Sequence, residues 1–498
     1  MHGPARGTPA RSLHSPVPQR EPRSHRGRSS QDSARRASRA DRPPPPRAQA
    51  GPPLNDAARD LAIRRIARQA QRFPDLALTE LDTGSLPPRD AAFAHAIYDA
   101  VIRRWLTLSH ILDEQLSKPL DDLEPRVAAV LLAGAAQLLL LDRVPPHAAI
   151  NHAVEWAKLV IRPGTAGLVN AVLRRVAQLR ADDAPRRERW TDQRDEIPLP
   201  DGTALPLTAP VLPKDPTERL AVVSSTAWVI LDGWSRTMPP EERQRVALHA
   251  IALPPIILNT AHAAAPLPSP PLLQPHAAPG HHVFTGTHAE LTELLASRSD
   301  LWVQDPASSL AVASVADLRP RLIIDLCAGL GTKTRQLAAT FPDARIVATD
   351  VDATRYRMLQ SVFHGHPRVE VLPAAGIPDR FRAQADLILL DVPCSNTGVL
   401  ARRPEAKYRF EPARQSSLTA LQRQIIEQAA PLRADGPRRG VILYSTCSIE
   451  PAENEEQAAW AAQTLGVTPQ RMRRTLPAGG PGEGPERYTD GSFSVLLT

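Results

Sequence analysis

Between residues 55 and 182, apolar residues recur at helical spacing. Asn55 or Asp56 can cap a helix that carries Leu61, Ile63, Ile66 and Ala67. A second helix carries Phe93, Ile97, Val101 and Trp105 and runs on to Leu108, Ile111 and Leu112. After the K-P-L break at 118–120, the stretch VAAVLLAGAAQLLLL (127–141) is apolar nearly all round, which predicts a buried helix. It is shorter than the roughly 18 residues of a membrane span. DRVPPHAAINHAVEWAKL (142–159) predicts a turn and another amphipathic helix, and 164–180 places Leu168, Ala171, Val172 and Val176 on one face. Five or six such helices predict an all-α bundle of domain size over 55–182.

The pattern changes at 321. RLIIDL (321–326), ARIVATD (344–350), VEVLP (369–373), ADLILLD (385–391) and GVILYST (440–446) are short apolar runs separated by helical stretches. This alternation predicts an α/β, Rossmann-like, doubly wound and mostly parallel sheet over 303–498. Such sheets bind ligands beyond the carboxyl ends of their strands, where this chain carries Asp325, Asp350, Asp391 and Cys447. Between the two patterned regions, 183–215 is charged and then proline-rich and reads as a linker. Residues 216–302 read as a small α+β subdomain with a strand at Ile256–Leu258. Residues 1–54, rich in Arg, Pro and Ser, have too few large apolar residues to fold alone and are expected to form a disordered basic tail.

Charge sharpens this division. The tail holds eleven Arg and three acids, a balance of +8 against +7 for the whole chain, so the body is close to neutral. Any RNA contact by the body must therefore come from local patches rather than from a global basic field. The three cysteines, Cys327, Cys394 and Cys447, have neither disulfide-framework nor zinc spacing, and no metal is expected. With no signal-peptide pattern and no membrane-length apolar run, the expected location is the cytoplasm.

Two sequence features carry chemistry. In D-L-C-A-G-L-G-T-K-T (325–334), Gly329 and Gly331 allow close backbone approach at a helix start. Asp350 follows Gly329 by 21 residues at the next strand end, where a carboxylate can accept from both hydroxyls of a ribose. The pair suits S-adenosylmethionine, whose ribose is free and which lacks a pyrophosphate. In LLDVPCSNTG (389–398), the other feature, Cys394 stands where enzymes that methylate an amino nitrogen hold an aromatic ring. A thiol has a purpose when the methyl acceptor is carbon. Adding a thiolate to C6 of cytosine gives an enamine whose C5 can attack a sulfonium methyl. Cys394 and Cys447 sit at adjacent candidate strand ends.

The strings VQDPASSLAV, DLCAGLGTKT, LLDVPCSNTGVLARRPEAKY, LYSTCSIEPAENEEQ and DGSFSVLL resemble the RsmB-type ribosomal RNA 5-methylcytosine methyltransferases. KPLDDLEPRVAAVLLAGAAQLLLLDRVPPHAAINHAVEWAK and GLVNAVLRR resemble the NusB-like RNA-binding helical domain fused to them. The resemblance covers most of 55–498. It implies Cys447 as the nucleophile, Cys394 as the residue that assists adduct breakdown and product release, and Asp391 as the contact to the cytosine N3/N4 edge. It implies S-adenosylmethionine held by Asp325, Cys327, Ala328, Gly329, Gly331, Lys333, Asp350 and Asp391. Arg402, Arg403, Lys407 and Arg409 form a basic stretch that could hold RNA phosphates. The implied protein is a monomeric enzyme acting on one cytosine of small-subunit ribosomal RNA. Other readings are the same chemistry on transfer RNA or another ribosomal site, and a non-catalytic RNA-binding protein. The chain departs from the family in three places. DAAF (90–93) stands where Asp-Arg is usual, Thr332 replaces a loop glycine, and Ala374 and Ala375 stand where a third-strand Asp would meet adenine, with Asp379 a few residues late. The last two changes predict weaker cofactor binding or an adenine contact through backbone.

Overall fold

The computed structural model describes residues 56–77, 81–181, 185–268, 271–436 and 439–498. The expected basic tail and the Asn55 cap lie outside these residues. Asp56 caps α1 (Ala57–Ala70), accepting from the Arg59 amide at 2.9 Å. Then come α2 (Pro88–Arg103), α3 (Trp105–Asp113), α4 (Pro125–Leu139), α5 (Pro146–Trp156) and α6 (Thr165–Leu179). Helix α4 is the stretch that is apolar all round. It is buried from Val127 to Leu139 and packs against each of the other five helices. A Cβ on its Gly134 would sit 2.6 Å from Leu173 Cδ1, so glycine is what lets α4 and α6 approach.

The segment read as a linker is structured. β1 (Glu196–Pro198) and β2 (Ala204–Pro206) pair antiparallel, and Ile197, Leu199, Leu205 and Leu207 join the core of the helical bundle. The proline-rich sequence hid this because the strands are three residues long. Next come α7 (Pro216–Ser224), α8 (Trp228–Ser235) and α9 (Pro240–His249). A four-stranded sheet follows, built from β3 (Ile256–Asn259), β4 (Leu273–Pro275), β5 (His281–Phe284) and β6 (Trp302–Val303) in the order β4-β5-β3-β6. Helix α10 (His288–Ser297) lies between β5 and β6 in the chain, and Thr287 and Glu290 close a capping box at its start.

Helix α11 (Pro306–Ala313) leads into the large sheet. Its strands are β7 (Leu322–Asp325), β8 (Arg345–Ala348), β9 (Val369–Val371), β10 (Leu387–Asp391), β11 (Val441–Thr446), β12 (Pro469–Thr475) and β13 (Ser492–Leu497). The order is β12-β13-β11-β10-β7-β8-β9. The run β11-β10-β7-β8-β9 is parallel, and β13 and β12 are antiparallel. Alternate residues feed opposite faces, as a two-residue period requires. Ile324, Val347, Ile388, Leu390, Ile442 and Tyr444 enter one core. Ile323, Ile346, Leu387, Leu389 and Leu443 enter the other. Helices α12 (Thr332–Thr340), α13 (Ala353–Val362), α14 (Ile377–Arg380), α15 (Ala406–Arg409), α16 (Pro412–Ala429) and α17 (Glu455–Leu465) connect the strands. No helix among the described residues is long and apolar enough to cross a membrane.

Candidate active site

The strand order brings the sequence-predicted groups together. β10 lies between β7 and β11, and its register sets Asp391 opposite Ser445 and Leu389 opposite Asp325. Three residues past Asp391 is Cys394, and two past Ser445 is Cys447. Their sulfurs are 3.3 Å apart. The two loops that carry them are locked by backbone. The Gly398 amide donates to the Cys447 carbonyl at 3.0 Å, and a Cβ on Gly398 would lie 2.7 Å from that oxygen. Asn396 holds φ of 62°, a conformation Asn tolerates better than most side chains. Its carboxamide spans the pair, donating to the Cys394 carbonyl at 3.0 Å and accepting from the Cys447 thiol at 3.2 Å.

Lys333, in the first turn of α12, reaches Asp391 with its ammonium 2.8 Å from Oδ2. Burial disfavours the Lys333 charge, yet Asp391 and the neighbouring thiol and carboxyl groups outweigh burial and raise its pKa. This ion pair ties the glycine loop to the cysteine strand. Cys394 is pushed well above the ordinary thiol range, first by its hydrogen bond to Cys447 and then by burial. It therefore stays a proton-bearing thiol near neutral pH. Behind it, Glu453 accepts from the Ser395 amide at 3.0 Å and from the Ser395 hydroxyl at 2.6 Å. Burial raises the Glu453 pKa. Thr446 donates to Asn454 Oδ1 at 2.6 Å, steadying the residue before Cys447. Asn396, Glu453 and Asn454 carried no role in the sequence reading, although all three lie within the quoted motifs. Only folding puts them beside the sulfurs.

The glycine loop forms the other half. Asp350 accepts from the Gly329 amide at 2.9 Å on one oxygen and from the Asp352 amide at 2.8 Å on the other. Gly329 has φ of 57°, and a Cβ there would meet nothing within 4 Å, so open space lies over the loop. Beside it Leu330 is 54% and Val351 87% exposed, two apolar side chains without cover. An open glycine, a fixed carboxylate and uncovered apolar surface fit a nucleoside-bearing cofactor such as S-adenosylmethionine. Ala328 is buried, and its amide bonds the Thr349 carbonyl at 2.9 Å, which holds the loop down.

Several expected contacts need correction. Asp325 is wholly buried and accepts from the Thr334 hydroxyl at 2.7 Å, so it supports the loop from below rather than facing the groove. Burial pushes its carboxyl up to about 7. Burial also raises the Cys327 thiol pKa, which suits a structural sulfur. In the basic stretch, Lys407 is wholly buried and donates to the Arg103 carbonyl at 3.0 Å, leaving no charge exposed for a phosphate. Arg402 is taken up by Asp490 at 2.7 Å and Asp305 at 3.2 Å, over the Tyr488 ring. Arg403 is exposed and Arg409 half-buried, and these two remain available to RNA. Ala374 and Ala375 lie in a short turn after β9, and Asp379 is exposed on α14. Among the described residues no group of three His, Cys, Asp or Glu could hold a metal ion.

Comparison with known proteins gives the family. A family model described as 16S rRNA methyltransferase RsmB/F matches residues 315–470, and the NusB family model matches 56–178. Ribosomal RNA small subunit methyltransferase B of Xanthomonas campestris is 31% identical over 448 residues, covering 84% of this chain and 91% of that protein. The Vibrio cholerae protein of the same name is 30% identical, covering 82% and 90%. The one from Thermus thermophilus is 29% identical, covering 74% and 77%. The crystal structure of PH0851 shares the fold, with a TM-score of 0.63 over 88% of this chain and 98% of that one at 19% identity. With both halves matched and the cysteine pair seated at the ends of its sheet, the chain belongs to the RsmB/F family of S-adenosylmethionine-dependent ribosomal RNA methyltransferases, with an N-terminal NusB domain.

Proposed function

We propose that the protein methylates C5 of a single cytosine in small-subunit ribosomal RNA through a covalent adduct on Cys447. The observation that carries this reading is the 3.3 Å sulfur pair set beside the Lys333–Asp391 ion pair. A target cytosine leaves its stack to reach the strand ends. Asp391 meets its N3/N4 edge, and Cys447, its thiol proton having passed to water, bonds through Sγ to C6 as the C5–C6 double bond opens, which makes C5 nucleophilic. Gly329 and Asp350 would hold S-adenosylmethionine, which supplies an electrophilic methyl when bound. Lys333 balances the charge of Asp391 throughout. For release, the C5 proton passes to water, its bonding pair re-forms the C5–C6 double bond as the bond from Cys447 to C6 breaks, and Cys394 hands its proton to the departing sulfur and regains one from water. Cys394 is suited to this because its sulfur lies 3.3 Å from that of Cys447. The names of the relatives favour small-subunit RNA over transfer RNA as the substrate.

The test is methyl transfer from labelled S-adenosylmethionine to unmethylated small-subunit RNA, with identification of the product base. Wild type is expected to make 5-methylcytosine. Cys447→Ala is expected to make none, and Cys394→Ala to accumulate a protein–RNA adduct. An adduct that still forms in Cys447→Ala would reverse the two assignments. Absence of transfer to any RNA, together with absence of cofactor binding, would leave the RNA-binding reading.

A further inference from the structure

A cavity of about 240 Å³ opens next to Cys394. Cys394 lines it, whereas Cys447, Asp391 and Lys333 do not, so it opens on the Cys394 side of the sulfur pair. Its wall runs from Cys394 to Arg409, Phe410 and the first turns of α16, which present Glu411, Arg414 and Gln415. Phe410 is half-buried and packs against the core of α7–α9, which holds the ring in place. Arg414 reaches Asp75 of the helical bundle at 2.8 Å, so the rim of the cavity bridges the NusB domain and the catalytic domain. The polar heads of Arg409, Glu411 and Gln415 have no side-chain partner among the described residues. A rigid aromatic surface with a free guanidinium, a free carboxylate and a free carboxamide has the chemistry of a nucleoside pocket. Single-stranded RNA bases are held by stacking on aromatic rings and by hydrogen bonds to their edges, with arginine on the phosphate.

We propose that this cavity is a second nucleoside site, which takes the base adjoining the target cytosine in the same RNA strand. This rests on the methyltransferase reading above. Phe410 is the stacking surface, Arg409 meets the backbone phosphate, and Glu411 accepts from an amino group on the base edge. The site selects the target by requiring two bases to leave the stack together. Cys394 lines the cavity and holds its sulfur 3.3 Å from that of Cys447, which puts the cavity within reach of a base next to one held at the nucleophile.

The experiment measures kcat/KM for methyl transfer to RNAs that lack the base on the 5′ side of the target, on the 3′ side, or at a distant control position. Wild type is compared with Phe410→Ala and, because Phe410 also packs on the core, with Arg409→Ala. Removing one neighbouring base is expected to cost wild type about tenfold, the scale of one stacked base. Phe410→Ala should lose a similar factor on intact RNA and lose nothing further on the RNA without that base. Arg409→Ala should still discriminate between the two RNAs but bind both more weakly. Losses that multiply in Phe410→Ala, or a wild type indifferent to both neighbouring bases, would overturn the proposal. No transfer by wild type to intact RNA would remove the methyltransferase reading and this site with it.

Discussion

At the scale of single residues, one ion pair decides what the site can do. Lys333 and Asp391 neutralise each other in a partly buried position beside the sulfurs. Lys333→Met leaves the carboxylate alone where a cytosine edge must dock. Methyl transfer is expected to fall about 10²-fold in kcat/KM, the loss typical of one preorganised polar group, while far-ultraviolet circular dichroism stays unchanged. Asp325 makes a separate prediction about stability. Its folded carboxyl keeps its proton up to about 7, whereas an unfolded one releases it near pH 4. Between these values the folded state binds more protons, so rising pH costs stability. Urea unfolding of wild type and Asp325→Asn should therefore diverge from about pH 4 to about pH 7. Wild type is expected to lose up to about 4 kcal/mol relative to the variant. A constant difference across that range would show that Asp325 does not hold its proton.

At the scale of elements, α15 connects two regions far apart in the chain. It is one turn long and follows the Cys394 loop, and its Lys407 and Tyr408 side chains point into the helical bundle. Tyr408 donates to the Ile102 carbonyl at 2.7 Å and lies 3.1 Å from the Ser225 hydroxyl. Phe73 stacks on Trp105 with centroids 5.0 Å apart and leans on Tyr408 at 5.7 Å. The NusB domain is thus fastened to the loop that leads from the cysteine strand. Tyr408→Phe keeps the ring packing and removes the hydroxyl, leaving buried backbone groups without their partner. The expected cost is about 1–3 kcal/mol, read as a lower urea midpoint. A midpoint equal to wild type would mean that water replaces the hydroxyl. The basic appearance of R-R-P-E-A-K-Y was misleading because charge in a sequence carries no direction. Packing turned Lys407 inward and left Arg403 outside.

At the scale of the whole molecule, the middle subdomain is part of the support for the site. Leu400, Ala406 and Ile449 of the catalytic domain share a core with α7–α9. Arg402 joins Asp490, Asp305 and the Pro255 carbonyl, so one guanidinium holds three distant segments. Arg402→Ala leaves two carboxylates facing each other with little water. The expected destabilisation is about 3–5 kcal/mol, measured by chemical unfolding. A loss under about 1 kcal/mol would place the guanidinium in solvent. The described residues from 56 onward fall in one compact unit, in keeping with these shared cores.

What was legible in the sequence is what local physics controls. The helical period, the all-apolar α4, the alternation of strands and helices, the glycine loop with Asp350 and the two cysteine motifs all depend on residues near each other in the chain. Three-residue strands such as β1 and β2 carry too few positions to show a period, so the supposed linker was misread. The positions of Asn396, Glu453 and the cavity at Phe410 were also invisible, because each depends on which strand lies beside which. The sequence by itself determined the set of chemical groups and their strand ends. The tertiary structure decided which sulfur faces which and which charges are buried, since only strand order and packing convert chain separation into distance.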